Sequence, residues 1–255
     1  MKSIKEISEL IKDAGREEFE KIKIELKEDT RKGVLKEIDK KEKYFEKKEK
    51  MIREYKHRQR YEIGLFKKGY TLIAGLDEVG RGPLAGDVYA AAVILNPKAS
   101  YLGVRDSKKL SEKQRIELTS KIKSSALAYS IGIASCKEID EINILNATKL
   151  AMKRAIEGLE LKPDYLLLDA INLDLDIPQT SIIRGDDNSI SIGAASIIAK
   201  VARDEYMVEM NSKYLGYDFE SNKGYGTSNH IEAIKAQGPC SIHRKTFIKN
   251  MLGDI

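Results

Sequence analysis

Hydrophobic positions follow two regimes along the chain. Over residues 1–60, Ile4, Ile7, Leu10 and Ile11 recur at helical spacing, and Ile22, Ile24 and Leu26 do so less cleanly. Gly15 and Gly33 predict turns between helices. From 36 to 60 the apolar residues thin out and the charges alternate in sign. That pattern predicts one exposed helix supported by i,i+4 pairs, with Tyr44, Phe45 and Tyr55 available to dock part of it. No proline interrupts the first 60 residues. The pattern predicts a helical extension over 1–69, ending between 64 and 69.

From residue 70 onward, short apolar runs alternate with helical ones. Runs at 72–76, 88–95, 126–134, 165–169 and 180–184 have the length of strands. Between them, Ser111 and Gln114 form a capping box for a helix over 112–124. A short helix is expected at 138–142 and a longer one over 146–159, ended by Gly158 and Pro163. Another is expected over 189–214, where Ile190, Ala194, Ile197, Ile198 and Val201 make a wide apolar face that Ala and Ser let approach a sheet closely. A last helix is expected near 231–236. The second domain, 70–255, therefore reads as α/β.

A chain of 255 residues with 42% hydrophobic residues and five prolines has ample material for a core. Cys136 and Cys240 lack C-x-x-C spacing, so neither zinc nor a disulfide framework is indicated, and reduced thiols in a cytoplasmic protein are expected. No apolar run reaches membrane-spanning length, and the N-terminus lacks the apolar stretch of a signal peptide. The net charge of +5 is uneven. Residues 1–70 carry 22 Lys/Arg against 16 Asp/Glu, leaving 23 against 24 for the rest. A basic arm on a near-neutral body with clustered acids fits a polyanion handled at a metal site, although a solvated helical arm gives the same count.

The clustered acids begin between the first two strands. Asp77 and Glu78 follow a buried run and precede a turn dense in small residues, Gly80 to Gly86. A phosphate-binding loop is excluded, because Arg81 and Gly82 stand where its Lys and Ser/Thr belong. The two acids would also repel a bare phosphate, whereas a divalent cation between them and the phosphate makes them useful. Asp169 ends a continuously apolar strand, the ligand edge of an α/β sheet. Asp186 or Asp187 taken alone reads as the N-terminal cap of the helix that follows, and Asp174 and Asp176 as solvated. Ser107, Lys108 and Lys109 precede a helix start and can reach phosphate oxygens. Tyr225, between Gly224 and Gly226, is placed to lie flat on a sugar or base or, equally, to cap the core. His230 and His243 lack metal-ligand spacing and read as surface or hydrogen-bonding histidines.

Together, DEVGRGPLAG at 77–86, DSKKLS at 106–111, the strand ending at Asp169, Gly185-Asp186 followed by AASIIAKVARD at 194–204, and KGYGT with HRKTF near the C-terminus resemble ribonuclease HII. The match runs from 70 to about 250 in order and at compatible separations; each motif alone is weak, and the set is specific. Residues 1–69 lie outside it, although some bacterial members carry a similar helical extension. The resemblance implies a ribonuclease H-like mixed five-stranded sheet flanked by helices, with further helices at the C-terminus. It implies a monomeric endonuclease using two Mg²⁺ or Mn²⁺ ions. Its substrates would be RNA strands paired with DNA and single ribonucleotides embedded in duplex DNA, cut on the 5′ side to leave 3′-hydroxyl and 5′-phosphate ends. Carried over by position, Asp77, Glu78, Asp169 and Asp186 are the metal-binding carboxylates. Gly80, Arg81 and Gly82 sense the 2′-OH, and Tyr225 stacks on the following deoxyribose. Asp87 departs from the pattern, standing where proline is frequent, and is expected to add charge near the site and loosen the turn. Asp187 beside Asp186 leaves two choices for the fourth carboxylate, of which Asp186 has the better spacing to 194–196; Asp204 is a more distant substitute. The competing readings are a ribonuclease HIII, which the helical character of 1–60 disfavours, and a non-catalytic nucleic-acid-binding module.

Overall fold

The structure, a computed structural model, describes residues 2–251. Two compact units divide between Lys56 and His57.

The first unit is built from α1 (Ile4–Asp13), α2 (Arg16–Glu25) and most of α3 (Lys32–Arg58). Ser3 and Glu6 close a capping box on α1. Its stripe delivers Ile7 and Ile11 to a core shared with Ala14, Phe19, Val34 and Phe45. Burying such side chains at about 1.5–3 kcal/mol each is what holds three charge-rich helices together. Phe45 does the docking, its ring 5.6 Å from that of Phe19, while Tyr44 stays exposed. Gly33 does not mark a turn: it lies in the first turn of α3. The reversal falls earlier, where Arg31 grips Asp29 through Nε at 2.9 Å and Nη2 at 2.6 Å.

The second unit starts before the expected boundary. It takes in Arg58 and the whole of α4 (Arg60–Lys67), whose Leu65 packs with Ile73, Leu167, Ile182 and Ile192. Its sheet has strands β1 (Ile73–Val79), β2 (Val88–Ile94), β3 (Ala128–Ala134), β4 (Tyr165–Asp169) and β5 (Gln179–Ile182), all in the expected places. The order is β3-β2-β1-β4-β5. β1 pairs antiparallel with β2 and parallel with β4, β2 antiparallel with β3, and β4 parallel with β5. The sheet is therefore mixed, with β1 at its centre. β1 also runs past its apolar stretch, so Asp77 and Glu78 sit within the ladder opposite Ala91 and Ala90.

Two long helices cover the sheet. α5 (Glu112–Ser125) carries the expected capping box, and α6 (Cys136–Glu157) lies on the face formed by Ala74, Leu76, Ala90 and Ala92. The α6 span is two helices joined at Asn143, whose φ of 66° and ψ of 165° break the ladder. The Asn143 Oδ1 then accepts from the N–H groups of Leu145 and Asn146, restarting the second helix. After the single turn α7 (Gly185–Asn188), α8 (Ile190–Lys213) covers the opposite face. Gly75 makes that approach possible, because a Cβ there would stand 2.2 Å from the carbonyl carbon of Ser191. The N-cap of α8 is Ser189, so Asp186 and Asp187 do not cap it.

The chain ends with α9 (Phe219–Asn222), α10 (Ser228–Gln237) and α11 (Lys245–Ile248), which bury Tyr217, Phe219, Ile234 and Ile242 against Met207 and Met210 of α8. Asp87 does not loosen the turn before β2. Its Oδ1 accepts from the Cys136 N–H at 2.8 Å, fastening that turn to the start of α6. Among the described residues no helix is long and apolar enough to cross a membrane.

Candidate active site

The parallel pairing of β1 with β4 brings Asp77 and Asp169 to the same edge of the sheet, one position beyond the paired Leu76 and Leu168. Asp169 Oδ1 accepts from the Gly185 N–H at 2.7 Å, which seats α7 on the end of β4 and brings Asp186 to the same edge. Strand alternation sends Asp77 toward α8, with Gly75, and Glu78 toward the other face, with Leu76. Asp77 is buried, its Oδ1 accepting from the Glu78 N–H at 2.8 Å, and Ser196 of α8, which favours its charged form, has its hydroxyl 2.9 Å from that of Ser107.

This crowding shows in the titration of the acids. Burial pushes Asp77 well above the usual carboxylate range, and the charges of Glu78, Asp169 and Asp186 push it further. Burial also raises Glu78, against the pull of Arg81, whose Nη1 lies 3.2 Å from Glu78 Oε1. Asp186 is raised by burial and then by Asp106 and Asp169. Asp187 behaves oppositely: burial works against its charge, but Lys109 and Arg184 more than offset that and hold it below the ordinary range. Lys109 Nζ lies 2.5 and 2.7 Å from the two Asp187 oxygens. The structure thus groups Asp186 with Asp77 and Asp169, and leaves Asp187 in a separate ion pair. Asp204 is likewise paired, with Lys200 at 2.7 Å.

Among the described residues no three acids, imidazoles or thiols are drawn together closely enough to hold an ion as they stand. Glu78 is turned onto Arg81, and Lys108 Nζ stands 3.7 Å from Asp186 Oδ2. The donor set nevertheless fits a hard divalent cation. Glu78 Oε2 is buried with no hydrogen-bond partner, and Asp77 is packed among like charges without a basic side chain bonded to it. A cation at this sheet edge would relieve both defects.

The turn after β1 is held by two arginines with no exposed surface, Arg203 of α8 and Arg244. Arg244 donates to the carbonyls of Gly80 (2.5 Å), Arg81 (2.9 Å) and Gly86 (2.7 and 2.9 Å). Arg203 donates to those of Ala85, Asp87 and Lys223 at 2.9–3.0 Å. Gly80 has φ 92°, and a Cβ there would strike Arg203 Nε at 2.2 Å, so only glycine fits. Tyr225 is 43% exposed beside Gly82. Its carbonyl lies 2.8 Å from His230 Nδ1, and His230 Nε2 lies 3.1 Å from His243 Nε2. One pair of neutral tautomers satisfies this chain: His230 donates from Nδ1, His243 donates from Nε2, and His243 Nδ1 accepts from the Cys240 N–H at 2.9 Å. Burial and then His230 lower His243 to about 4, in keeping with a neutral pair.

Several expectations change. Ser107 is buried, with its hydroxyl 2.9 Å from that of Ser196. Lys109 is committed to Asp187, and Lys108 alone of that trio points out as a largely exposed cation near the acids. Of the two readings of His230 and His243, the hydrogen-bonding one holds, and both side chains are buried. Sequence reasoning missed Arg203, Arg244 and the buried Asp106, which caps the turn at 107–109. The signal for Arg203 was present: it continues the spacing Ser196, Ala199, Arg203, Met207 along the buried face of α8, where an arginine must have several acceptors.

Two sequence profiles match the chain, that of ribonuclease HII over residues 74–250 and that of the ribonuclease HII N-terminal domain over residues 3–65. A ribonuclease HII of Bacillus anthracis is 51% identical over 253 residues, covering 98% of each chain. One of Staphylococcus saprophyticus is 51% identical over 224 residues, covering 88% of each. The crystal structure of ribonuclease H2 from Pyrococcus horikoshii superposes with a TM-score of 0.60 at 28% identity, over 71% of this chain and 97% of that one. The N-terminal helices and the sheet with its acidic edge are thus both accounted for by one set of relatives, and the chain belongs to the ribonuclease HII family.

Proposed function

We propose that this protein is a divalent-metal-dependent endonuclease that hydrolyses the RNA strand of RNA–DNA hybrids and incises duplex DNA 5′ of single embedded ribonucleotides. Membership of the ribonuclease HII family supports phosphodiester hydrolysis in a hybrid. The observation that carries the metal-dependent reading is Asp77, buried at the sheet edge that also carries Glu78, Asp169 and Asp186 and raised by that burial and then by their charges. Such a cluster is unfavourable by itself and becomes favourable around cations. Asp77, Glu78, Asp169 and Asp186 would hold two Mg²⁺ or Mn²⁺ ions. When bound, these supply an activated water and relieve charge on the leaving 3′-oxygen.

The chain's own residues do the rest. Arg244 holds the oxygens of the Gly80 and Arg81 peptides. Because those peptides are planar and trans, the N–H groups of Arg81 and Gly82 are aimed the opposite way, fixed before substrate arrives. A 2′-OH, the group that separates RNA from DNA, is the natural acceptor for that pair. Tyr225, exposed beside Gly82, offers its ring to the next sugar. Lys108 is placed to meet a phosphate, and Arg81 to leave Glu78 when substrate and cations compete for both. Removal of ribonucleotides and of RNA primers from DNA is the role this activity serves.

The test is gel analysis of a DNA duplex with one ribonucleotide, with and without Mg²⁺ or Mn²⁺. A single incision 5′ of the ribonucleotide that needs the cation is the expected result. Cutting of long hybrids with the lone ribonucleotide left intact removes the incision reading, and binding without turnover removes the enzymatic one.

A further inference from the structure

Three side chains that precede the sheet grip one short stretch of backbone beside the acidic edge. Arg58 Nε donates to the carbonyl of Asp187 at 3.0 Å. Arg60 donates through Nη1 to the carbonyl of Asn188 and through Nη2 to its Oδ1, both at 3.0 Å. Glu62 of α4 accepts on one oxygen, Oε1, from the hydroxyls of Ser189 and Ser191 at 2.6 Å each and from the Ser191 N–H at 3.1 Å. Every contact falls within residues 187–191, the turn that opens α8 and directly follows Asp186. Asp186 Oδ1 in turn accepts from the Asp187 N–H at 3.0 Å. A swing of that peptide therefore moves the carboxylate.

Glu62 is more than this turn needs for folding. Ser189 already caps α8 through the Ile192 N–H. Glu62 is only 6% exposed, and its second oxygen, Oε2, is buried without a partner. A buried acid left half satisfied costs stability, and a neutral side chain would fill the space more cheaply. What the carboxylate supplies is strength: three donors converging on one oxygen call for a full negative charge, and the bonds they make are short and directional.

We propose that Glu62 is a positioning residue for Asp186. Through Ser189 and Ser191 it fixes the start of α8, Arg58 and Arg60 complete the grip, and together they set where Asp186 meets Asp77 and Asp169. The inference rests on the reading of Asp186 as a metal-binding carboxylate. It also makes the junction at 57–67 a working part of the catalytic unit.

The test uses the full-length protein and Glu62→Gln, which keeps shape and removes charge. Mn²⁺ binding is followed by the electron paramagnetic resonance of the free ion, kcat and KM on a single-ribonucleotide duplex, and amide exchange at Asp187 and Ser191. Mn²⁺ affinity and kcat should fall roughly tenfold, the usual cost of loosening a ligand's support, with KM changed less than about twofold and both amides exchanging faster. Arg60→Gln should give the same pattern at smaller size, roughly threefold, and serves if Glu62→Gln does not fold. A lower melting temperature with Mn²⁺ affinity and kcat intact makes Glu62 merely structural and overturns the proposal. Asp186→Asn, measured alongside, separates the two failures. If it weakens Mn²⁺ binding while Glu62→Gln does not, only the positioning role falls; if it leaves Mn²⁺ binding unchanged, the assignment of Asp186 falls as well.

Discussion

Arg244 Nη2 donates to the carbonyl oxygen of Gly80 at 2.5 Å, from 164 positions further along the chain. That bond and its companions to Arg81 and Gly86 let one buried guanidinium set the shape of the turn after β1. The arrangement costs a desolvated charge: burial, then Arg203, lowers Arg244 to about 10. Such a cost is sustained where geometry matters more than stability.

Arg244→Lys tests this. An ammonium keeps the charge but cannot span three carbonyls in a fixed fork. Two buried acceptors left unpaired should lower the unfolding free energy by roughly 2–4 kcal/mol, read from urea melts. At a temperature where the variant is folded, kcat/KM on a single-ribonucleotide duplex should fall at least about tenfold, a loss of transition-state stabilisation near 1.4 kcal/mol. Affinity for an all-DNA duplex should hold. Equal loss on both duplexes would detach the grip from recognition of the ribose.

Asp77→Asn separates stability from chemistry. A carboxyl raised by burial and neighbouring acids binds its proton more tightly in the folded chain than in the unfolded one. Without cations, its contribution therefore favours the folded state at acid pH and is lost as pH rises through the raised value. The asparagine should stabilise the cation-free protein at pH 8 by roughly 0.5–2 kcal/mol, in the range of relieved functional strain. It should abolish cleavage while leaving duplex binding in Ca²⁺ largely intact. Thermal melts with and without Mg²⁺ give the sharper check. The ion should raise the wild-type melting temperature more than that of the variant, and an equal rise in both would count against Asp77 as a ligand.

Most of the scaffold could be read from the sequence because its signals are local. Five apolar runs became five strands, and Ser111 with Gln114 capped the helix expected of them. The break in α6 fell between the two helices anticipated there, at Asn143. Gly33 misled because a glycine near a helix start carries the same local signal as one in a turn. Asp186 and Asp187 illustrate a different limit. Adjacent in sequence, they are sorted by groups far away, Asp106 and Asp169 for one and Lys109 for the other. Arg203, Arg244 and the His230–His243 pair were invisible as a set, since each matters through carbonyls and rings contributed by other segments. Glu62 lay in a stretch assigned to the extension, and nothing short of α4 packing beside β1 brings it to Ser189.

Tyr225→Ala addresses the exposed ring. The tyrosine backbone is held independently, by the Tyr225 N–H bond to Asn222 and by His230 on its carbonyl, so the loop should keep its course without the side chain. Loss of one stacking contact is worth about 1–3 kcal/mol, so kcat/KM on a single-ribonucleotide duplex should drop roughly fivefold to a hundredfold. The melting temperature should move little. Unchanged rates at limiting substrate would make Tyr225 a structural residue, whatever its exposure.

The histidine pair predicts a pH signature with the opposite sign to that of Asp77. His243 is lowered from 6.5 to about 4. The folded chain therefore resists protonation, and the stability this provides is fully present above pH 6.5 and lost as pH falls toward 4. Comparing wild type with His243→Gln cancels the carboxylates, which titrate in both. The stability difference between the two should be largest near pH 7.5 and shrink by up to about 3 kcal/mol on acidification to pH 4. A charged pair would set two Nε2–H donors against each other 3.1 Å apart, and the repulsion would push the rings apart and strain the His230 bond to the Tyr225 carbonyl. Amide exchange in the 223–227 loop should accordingly rise in wild type over the same interval. A stability difference that stays flat with pH, alongside a loop that stays protected, would mean the imidazoles titrate freely and do not anchor Tyr225.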